Sequence, residues 1–309
     1  MSRVVGCSVD EYLSDWRFAS LVLEMLMCGC GVVGCCLSLW CLKTCKKMQT
    51  GMKIQLFFFF TTTLAISFVV LPAYAVMDYW RFLCWQGGII VKLCSFTTYT
   101  VLGIIERNVF TVIATYRMIA VCFPLKYQQW CQRRVVLSIE IAICFCVVLL
   151  WAVAIFTQDL GTVEINDPSS YALGRVLFYL FLLVPIIITV VAYVTMIAYM
   201  RFKKGPRNSH RNQVSFGLGI LILTNLLLDV PHIMMHLSGV DSMSLPFILI
   251  HVIYRLHYAL DPFLFVGMNA PYRQKVLRCV SFGRLGTRDV PSLSPAAESN
   301  TRADTATAF

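Results

Sequence analysis

Seven stretches of the chain stay apolar for about 20 residues or more, the length a helix needs to cross the hydrocarbon core of a bilayer. They run Phe18–Leu42, Ile54–Met77, Gly88–Val121, Val135–Phe156, Val176–Met200, Val214–Leu237 and Leu245–Met268. The third is long and is interrupted by Glu106-Arg107-Asn108. Short polar connections join the stretches, and neither an internal repeat nor a second domain is visible. After Met268, the segment from Pro271 to Val280 reads as an amphipathic helix, its basic residues facing water while Tyr272, Val276 and Val280 face lipid. The pattern therefore predicts an all-α membrane protein. Residues 1–17 form a short extracellular terminus, 18–268 a bundle of seven transmembrane helices, 269–282 a juxtamembrane helix and 283–309 a disordered tail rich in Ser, Thr, Ala and Pro. The first apolar stretch follows the acidic residues Asp10, Glu11 and Asp15 without a basic segment, so no cleavable signal peptide is expected.

Composition supports the membrane reading. The apolar share is 58% and the charged share only 14%, against about 25% charged in a soluble domain. A soluble enzyme, a disordered regulator and a secreted disulfide scaffold are all excluded. Many of the 14 cysteines sit inside apolar stretches, where cysteine packs as a small hydrophobe. The net charge of +10 does not call for nucleic acid, because the basic residues alternate between connections. The first, third and fifth connections carry Lys43, Lys46, Lys47, Lys53, Lys126, Arg133, Arg134, Arg201, Lys203, Lys204, Arg207 and Arg211, with no acid. The even-numbered ones hold Asp78 and Arg81, then Asp159, Glu164 and Asp167, then Asp241. The positive-inside rule places the amino terminus outside and the carboxyl terminus in the cytosol of a multi-pass protein in the plasma membrane.

Local motifs sharpen this. The third stretch ends Ala114-Thr115-Tyr116-Arg117-Met118, with Pro124-Leu125 seven residues after the arginine. The seventh ends Leu260-Asp261-Pro262-Phe263-Leu264-Phe265 and runs into the amphipathic helix; Pro185 precedes Tyr193 in the fifth, and Pro231 lies in the sixth. Together these resemble the rhodopsin-like (class A) G-protein-coupled receptors over essentially residues 18–280, as a divergent member of orphan or virus-encoded type. The resemblance implies a receptor that passes an extracellular chemical signal to heterotrimeric G proteins, with Arg117, Tyr116, Pro124 and Tyr193 at the coupling end. It departs from the family in several places. Tyr116 replaces the acid that pairs with the arginine, and Asp229 stands where a switch tryptophan is usual. Cys35 replaces an asparagine of the first span, and the second span lacks its aspartate near Leu64–Ser67. Lys92 takes the place of the cysteine atop the third span, and residues 157–174 contain no cysteine, so the family's disulfide cannot form in its usual way. A lost latch implies elevated ligand-free activity.

Ionisable side chains at mid-bilayer are costly and need partners. Glu106, Arg107, Asp229, Arg255 and Asp261 are the candidates. Glu106 lies eleven residues, about three turns, from Arg117. By the resemblance it falls where a sodium-site residue sits, so Glu106 and Asp261, with Asp229, make an acidic site for Na⁺ or a shared proton. Alternatively, Glu106, Arg107, Asp229 and Arg255 neutralise one another as a structural network. Four histidines, His232, His236, His251 and His257, cluster outward in the last two spans. The resemblance implies that Tyr99, His232, His236, His251 and Arg255 line a ligand cavity, basic enough for a small anionic ligand anchored by Arg255. The histidines could instead sense pH, or simply bond between helices with Arg255 paired to Asp229.

Cys279 is a candidate palmitoylation site beside Arg278, and tail hydroxyls such as Ser292 and Thr301 are candidates for phosphorylation and arrestin recognition. The chain shows no phosphate loop, no His-Glu-x-x-His and no metal-binding cysteine pair, so neither an enzyme nor a resident metal is expected. A signalling-silent decoy or heterodimerising receptor, and a transporter or proton-conducting protein, stay open as alternatives.

Overall fold

The computed structural model describes residues 2–3, 11–45, 48–83, 85–86, 89–157, 179–202, 209–241 and 244–284. The architecture is helical. Helices α1 (Glu11–Thr44), α2 (Thr50–Ala65) and α3 (Leu71–Phe82) are followed by α4 (Ile89–Cys122), α5 (Pro124–Trp130) and α6 (Arg133–Thr157). Then come α7 (Val184–Phe202), α8 (Ser209–Leu237), α9 (Leu245–Arg255), α10 (His257–Met268) and α11 (Ala270–Arg284). A two-residue pairing of Ser2–Arg3 with Trp85–Gln86 is the one strand contact among the described residues. The acidic fourth connection beyond 157, the lysines at 46–47 and 203–204, Arg207 and the tail beyond 284 lie outside the described residues.

Six helical segments are long and apolar enough to cross a membrane: Tyr12–Thr44, Thr50–Trp80, Arg133–Val153, Leu180–Phe202, Gly219–Leu237 and Leu245–Met268. That is the signature of a multi-pass membrane protein. Their outer faces carry large apolar side chains such as Ile141, Phe145, Val191, Val194 and Leu227, all exposed. In water such a surface would be a liability; against lipid tails it costs nothing. Threonines in α2 satisfy their own hydroxyls by donating to the carbonyl one turn back, Thr61 to Phe57 and Thr62 to Phe58.

Prolines shape the spans. A wide π-turn covers Ile66–Val70 just before Leu71-Pro72, and another covers Tyr179–Leu183 just before Val184-Pro185. Proline has no N–H to give, and loosening the preceding turn absorbs the clash with the earlier carbonyl. The last span breaks at Leu256, between α9 and α10. Helix α1 packs against α2, α3, α9 and α10, while α4 packs against α2, α3, α6 and α7 and so occupies the interior of the bundle. Gly31 permits the close approach of α1 to α10, since a Cβ there would stand 3.0 Å from the Tyr258 carbonyl oxygen.

Candidate functional site

Polar side chains line the interior in three layers. The central layer gathers Glu106 and Arg107 from α4, Thr63 from α2, Asn225 and Asp229 from α8, and His257 and Asp261 from α10. All but Thr63 and Arg107 are 1–3% exposed, and those two are buried as well. The α8 and α10 pairs are each four residues apart, so each pair stacks on one helix face. Arg107 forms an ion pair with Asp229 (Nη2–Oδ1, 2.6 Å) and donates from Nη1 to Asn225 Oδ1 at 3.1 Å. Asn225 Nδ2 donates to Asp261 Oδ1 at 2.7 Å, and Thr63 donates to Glu106 Oε1 at 2.8 Å. The other Glu106 oxygen faces His257 Nε2 at 3.5 Å. His257 Nδ1–H is committed to the Tyr254 carbonyl. A hydrogen bond between Nε2 and Glu106 therefore needs one proton held between the two groups. Three carboxylates, Glu106, Asp229 and Asp261, share one guanidinium here. Such a donor set fits a bound proton or a small monovalent cation, because uncompensated buried charge is expensive.

Above it lies a second layer. Arg255 pairs with Glu24 of α1 at 2.5 Å and sits over the stacked rings of Tyr74 and Tyr99, 5.1 and 5.5 Å from their centroids. Arg17 pairs with Asp78 at 2.7 Å. His232, His236 and His251 bring one ring nitrogen each to within 4.8 Å of one another. Tyr254 lies between the layers, stacked on His232 at 3.9 Å, with Arg107 5.7 Å from its centroid.

Two sequence expectations need correction. Arg255 does not pair with Asp229: it reaches α1 and takes Glu24, leaving Asp229 to Arg107. His257 does not belong with the other three histidines. It follows the break at Leu256, which swings it inward onto Glu106. The expected acidic group is otherwise brought together, as are Tyr99, Arg255 and, one turn along α9, His251.

The third layer surrounds Arg117 at the other end of α4. Among the described residues Arg117 makes no ion pair, and its Nε has no hydrogen-bond partner. The Tyr116 hydroxyl turns away and donates to the Trp130 carbonyl at 2.9 Å. Arg117 instead lies within electrostatic reach of Tyr127, Tyr193 and Tyr272. Burial pushes the Tyr127 hydroxyl well up from its ordinary value, so it stays protonated near the guanidinium. Pro124 opens α5 at its first turn, a position that needs no N–H. Cys279 is exposed on α11.

Sequence reasoning missed Glu24, Asn225, Thr63 and Glu140. Glu24 and Glu140 each interrupt an apolar run, which was a legible signal; Glu140 is 2% exposed, and neither carboxylate oxygen has a hydrogen-bond partner. Asn225 stands one turn before Asp229, a weaker signal that spacing alone supports. No protein-family model matches the chain, and no curated protein sequence matches it.

Proposed function

We propose that this chain is a seven-span receptor of the rhodopsin-like kind, passing an extracellular chemical signal to heterotrimeric G proteins and signalling appreciably without ligand. The observation that carries the reading is Arg117: a cationic side chain at the inner end of a central helix, without an acidic partner among the described residues, facing the buried tyrosines Tyr193 and Tyr272. In this reading α4 is the third of seven membrane spans, its central charges tolerated because Asp229, Asn225, Thr63 and His257 meet them. The amino terminus is outside the cell, the carboxyl terminus in the cytosol and the protein in the plasma membrane. Helix α11 lies along the inner leaflet, where Cys279 can take a palmitoyl chain, and the tail hydroxyls serve arrestin.

The ligand is a small anion entering above Tyr99, His232, His236, His251 and Arg255. Arg255 is already paired, so an incoming carboxylate must displace Glu24 to reach it. That exchange couples ligand entry to the α1–α9 contact. The central carboxylates hold Na⁺ or a shared proton near Glu106 and Asp261. The same surplus of carboxylates favours a second reading, a proton-conducting or transporting protein, and silence at the cytoplasmic face would make it a decoy or a heterodimerising partner.

The test expresses wild type and Arg117→Ala at matched surface levels and measures ligand-free activation across the G-protein families. Activity that collapses in the variant supports the receptor reading. Silence in both removes constitutive coupling and turns attention to proton flux. Sodium titration of wild type and Glu106→Ala tests the cation: insensitivity in both rules it out.

A further inference from the structure

We propose that His232, His236 and His251 form a binding site for a divalent transition-metal ion, with Zn²⁺ the best fit. His232 and His236 stand four residues apart on one face of α8, and His251 faces them from α9. Their two Nε2 atoms are 3.1 Å apart, close to the roughly 3.3 Å that separates two ligands of a tetrahedral ion with Zn–N bonds of about 2.0–2.1 Å. A hydrogen bond between those nitrogens can use only one proton and one lone pair; a metal ion accepts both lone pairs. The third ring nitrogen lies within 4.8 Å of the others, a gap that small rotations of the rings close.

The rings do not stack on one another. They meet nearly at right angles, at 81°, 87° and 85°, with centroids 4.6–5.4 Å apart, so no ring covers another and one nitrogen from each stays within 4.8 Å of the others. His251 Nδ1–H donates to the Phe247 carbonyl at 2.9 Å. Such a bond from the far nitrogen fixes a metal-ligating imidazole in its tautomer and frees Nε2. His236 is exposed, which gives an ion a route in, while His232 is buried and held by its stack on Tyr254.

The nearby guanidinium groups disfavour positive charge on these rings, so an ion is held here by its coordination bonds rather than by attraction to acids. Arg255, Arg107 and Arg17 act electrostatically on this cluster, but each is paired, with Glu24, Asp229 and Asp78 respectively. Three imidazoles without a carboxylate select Zn²⁺, Cu²⁺ or Ni²⁺ over Ca²⁺ and Mg²⁺. Three protein ligands leave the fourth position to water or a carboxylate. This inference does not rest on G-protein coupling: a chain that binds zinc and never signals retains it.

Purified full-length chain in lipid nanodiscs, stripped with chelator, is titrated with Zn²⁺ by calorimetry and with Co²⁺ by visible absorption. One equivalent of Zn²⁺ and a tetrahedral Co²⁺ band are expected, with no response to Ca²⁺ or Mg²⁺. His236→Ala and His251→Ala should each weaken binding by about 100-fold or more, whereas His210→Ala, at the far end of α8, should not. His236 is exposed, so its variant folds even where His251→Ala does not. No Zn²⁺ binding by wild type, or binding that survives in His236→Ala, overturns the site.

Discussion

Helix α4 carries two arginines ten residues apart, and they meet opposite fates. Arg107 is 5% exposed, clamped by Asp229 and Asn225 and faced by a tyrosine ring. Arg117 lies among tyrosines with no acidic partner among the described residues, and its neighbour Tyr116 spends its hydroxyl on a backbone carbonyl. A buried charge must be compensated in place, so the Arg107 layer is a fixed part of the architecture. A charge near a helix end can reach water along its own stem, so Arg117 need not be bound to anything for the protein to fold. The difference separates a region that holds the bundle together from one that the packing of the bundle leaves uncommitted.

Breaking the fixed side should have the largest effect. Arg107→Ala leaves Asp229 buried without its cation, a loss of about 3–5 kcal/mol, and thermal unfolding in detergent should fall accordingly. The double variant Arg107→Ala/Asp229→Ala should recover much of it. Arg117→Ala should unfold near wild type. Equal losses for the two single alanine variants would erase the contrast between the arginines.

The unpaired end is held by close, uncharged packing. A Cβ on Gly51 would lie 2.2 Å from the Cys131 carbonyl oxygen, and that oxygen belongs to backbone that cannot swing aside. Gly51→Ala should therefore cost about 1–3 kcal/mol as the turn after α5 shifts. Trp130, whose carbonyl anchors Tyr116, is next to that turn. The same change at Gly29, where a Cβ meets nothing within 4 Å, should be nearly silent. A smaller effect is expected in the central layer. Thr63→Val removes one donor from Glu106 and should cost about 1 kcal/mol, read as a lower unfolding midpoint.

How much of this was legible in the chain depended on the length of the signal. Apolar runs and alternating basic connections are long-range averages, and six of the expected spans reappear as helices long and apolar enough to cross a membrane. The 34-residue α4 also forms, although Glu106 and Arg107 depress its hydropathy. Pairing was less legible. Which acid takes Arg255 depends on which helix stands opposite, and periodicity within one helix says nothing about its neighbour. Glu24, 231 residues away in sequence, could be recognised as an acid in a span but not as this arginine's partner. His257 was misplaced for a related reason: the helix breaks at Leu256, and His257 falls on the face of α10 that carries Asp261 rather than with His251 of α9. The three histidines kept their register because two of them share an unbroken helix.

The finest probe converts one arginine's situation into the other's. Tyr116→Asp places a carboxylate beside Arg117 and gives up the bond to the Trp130 carbonyl. Position 116 is buried and Arg117 partly exposed, and a pair there worth about 1 kcal/mol is enough to shift a two-state equilibrium by roughly fivefold. If ligand-free signalling reflects an arginine that has no pair to break, activity in Tyr116→Asp should fall by about that factor while surface expression stays level. Tyr116→Phe separates the two effects, since it loses the carbonyl bond without supplying an acid and should leave basal activity at or above wild type. A Phe variant as quiet as the Asp variant would place the control in the Trp130 anchor rather than in the charge of Arg117.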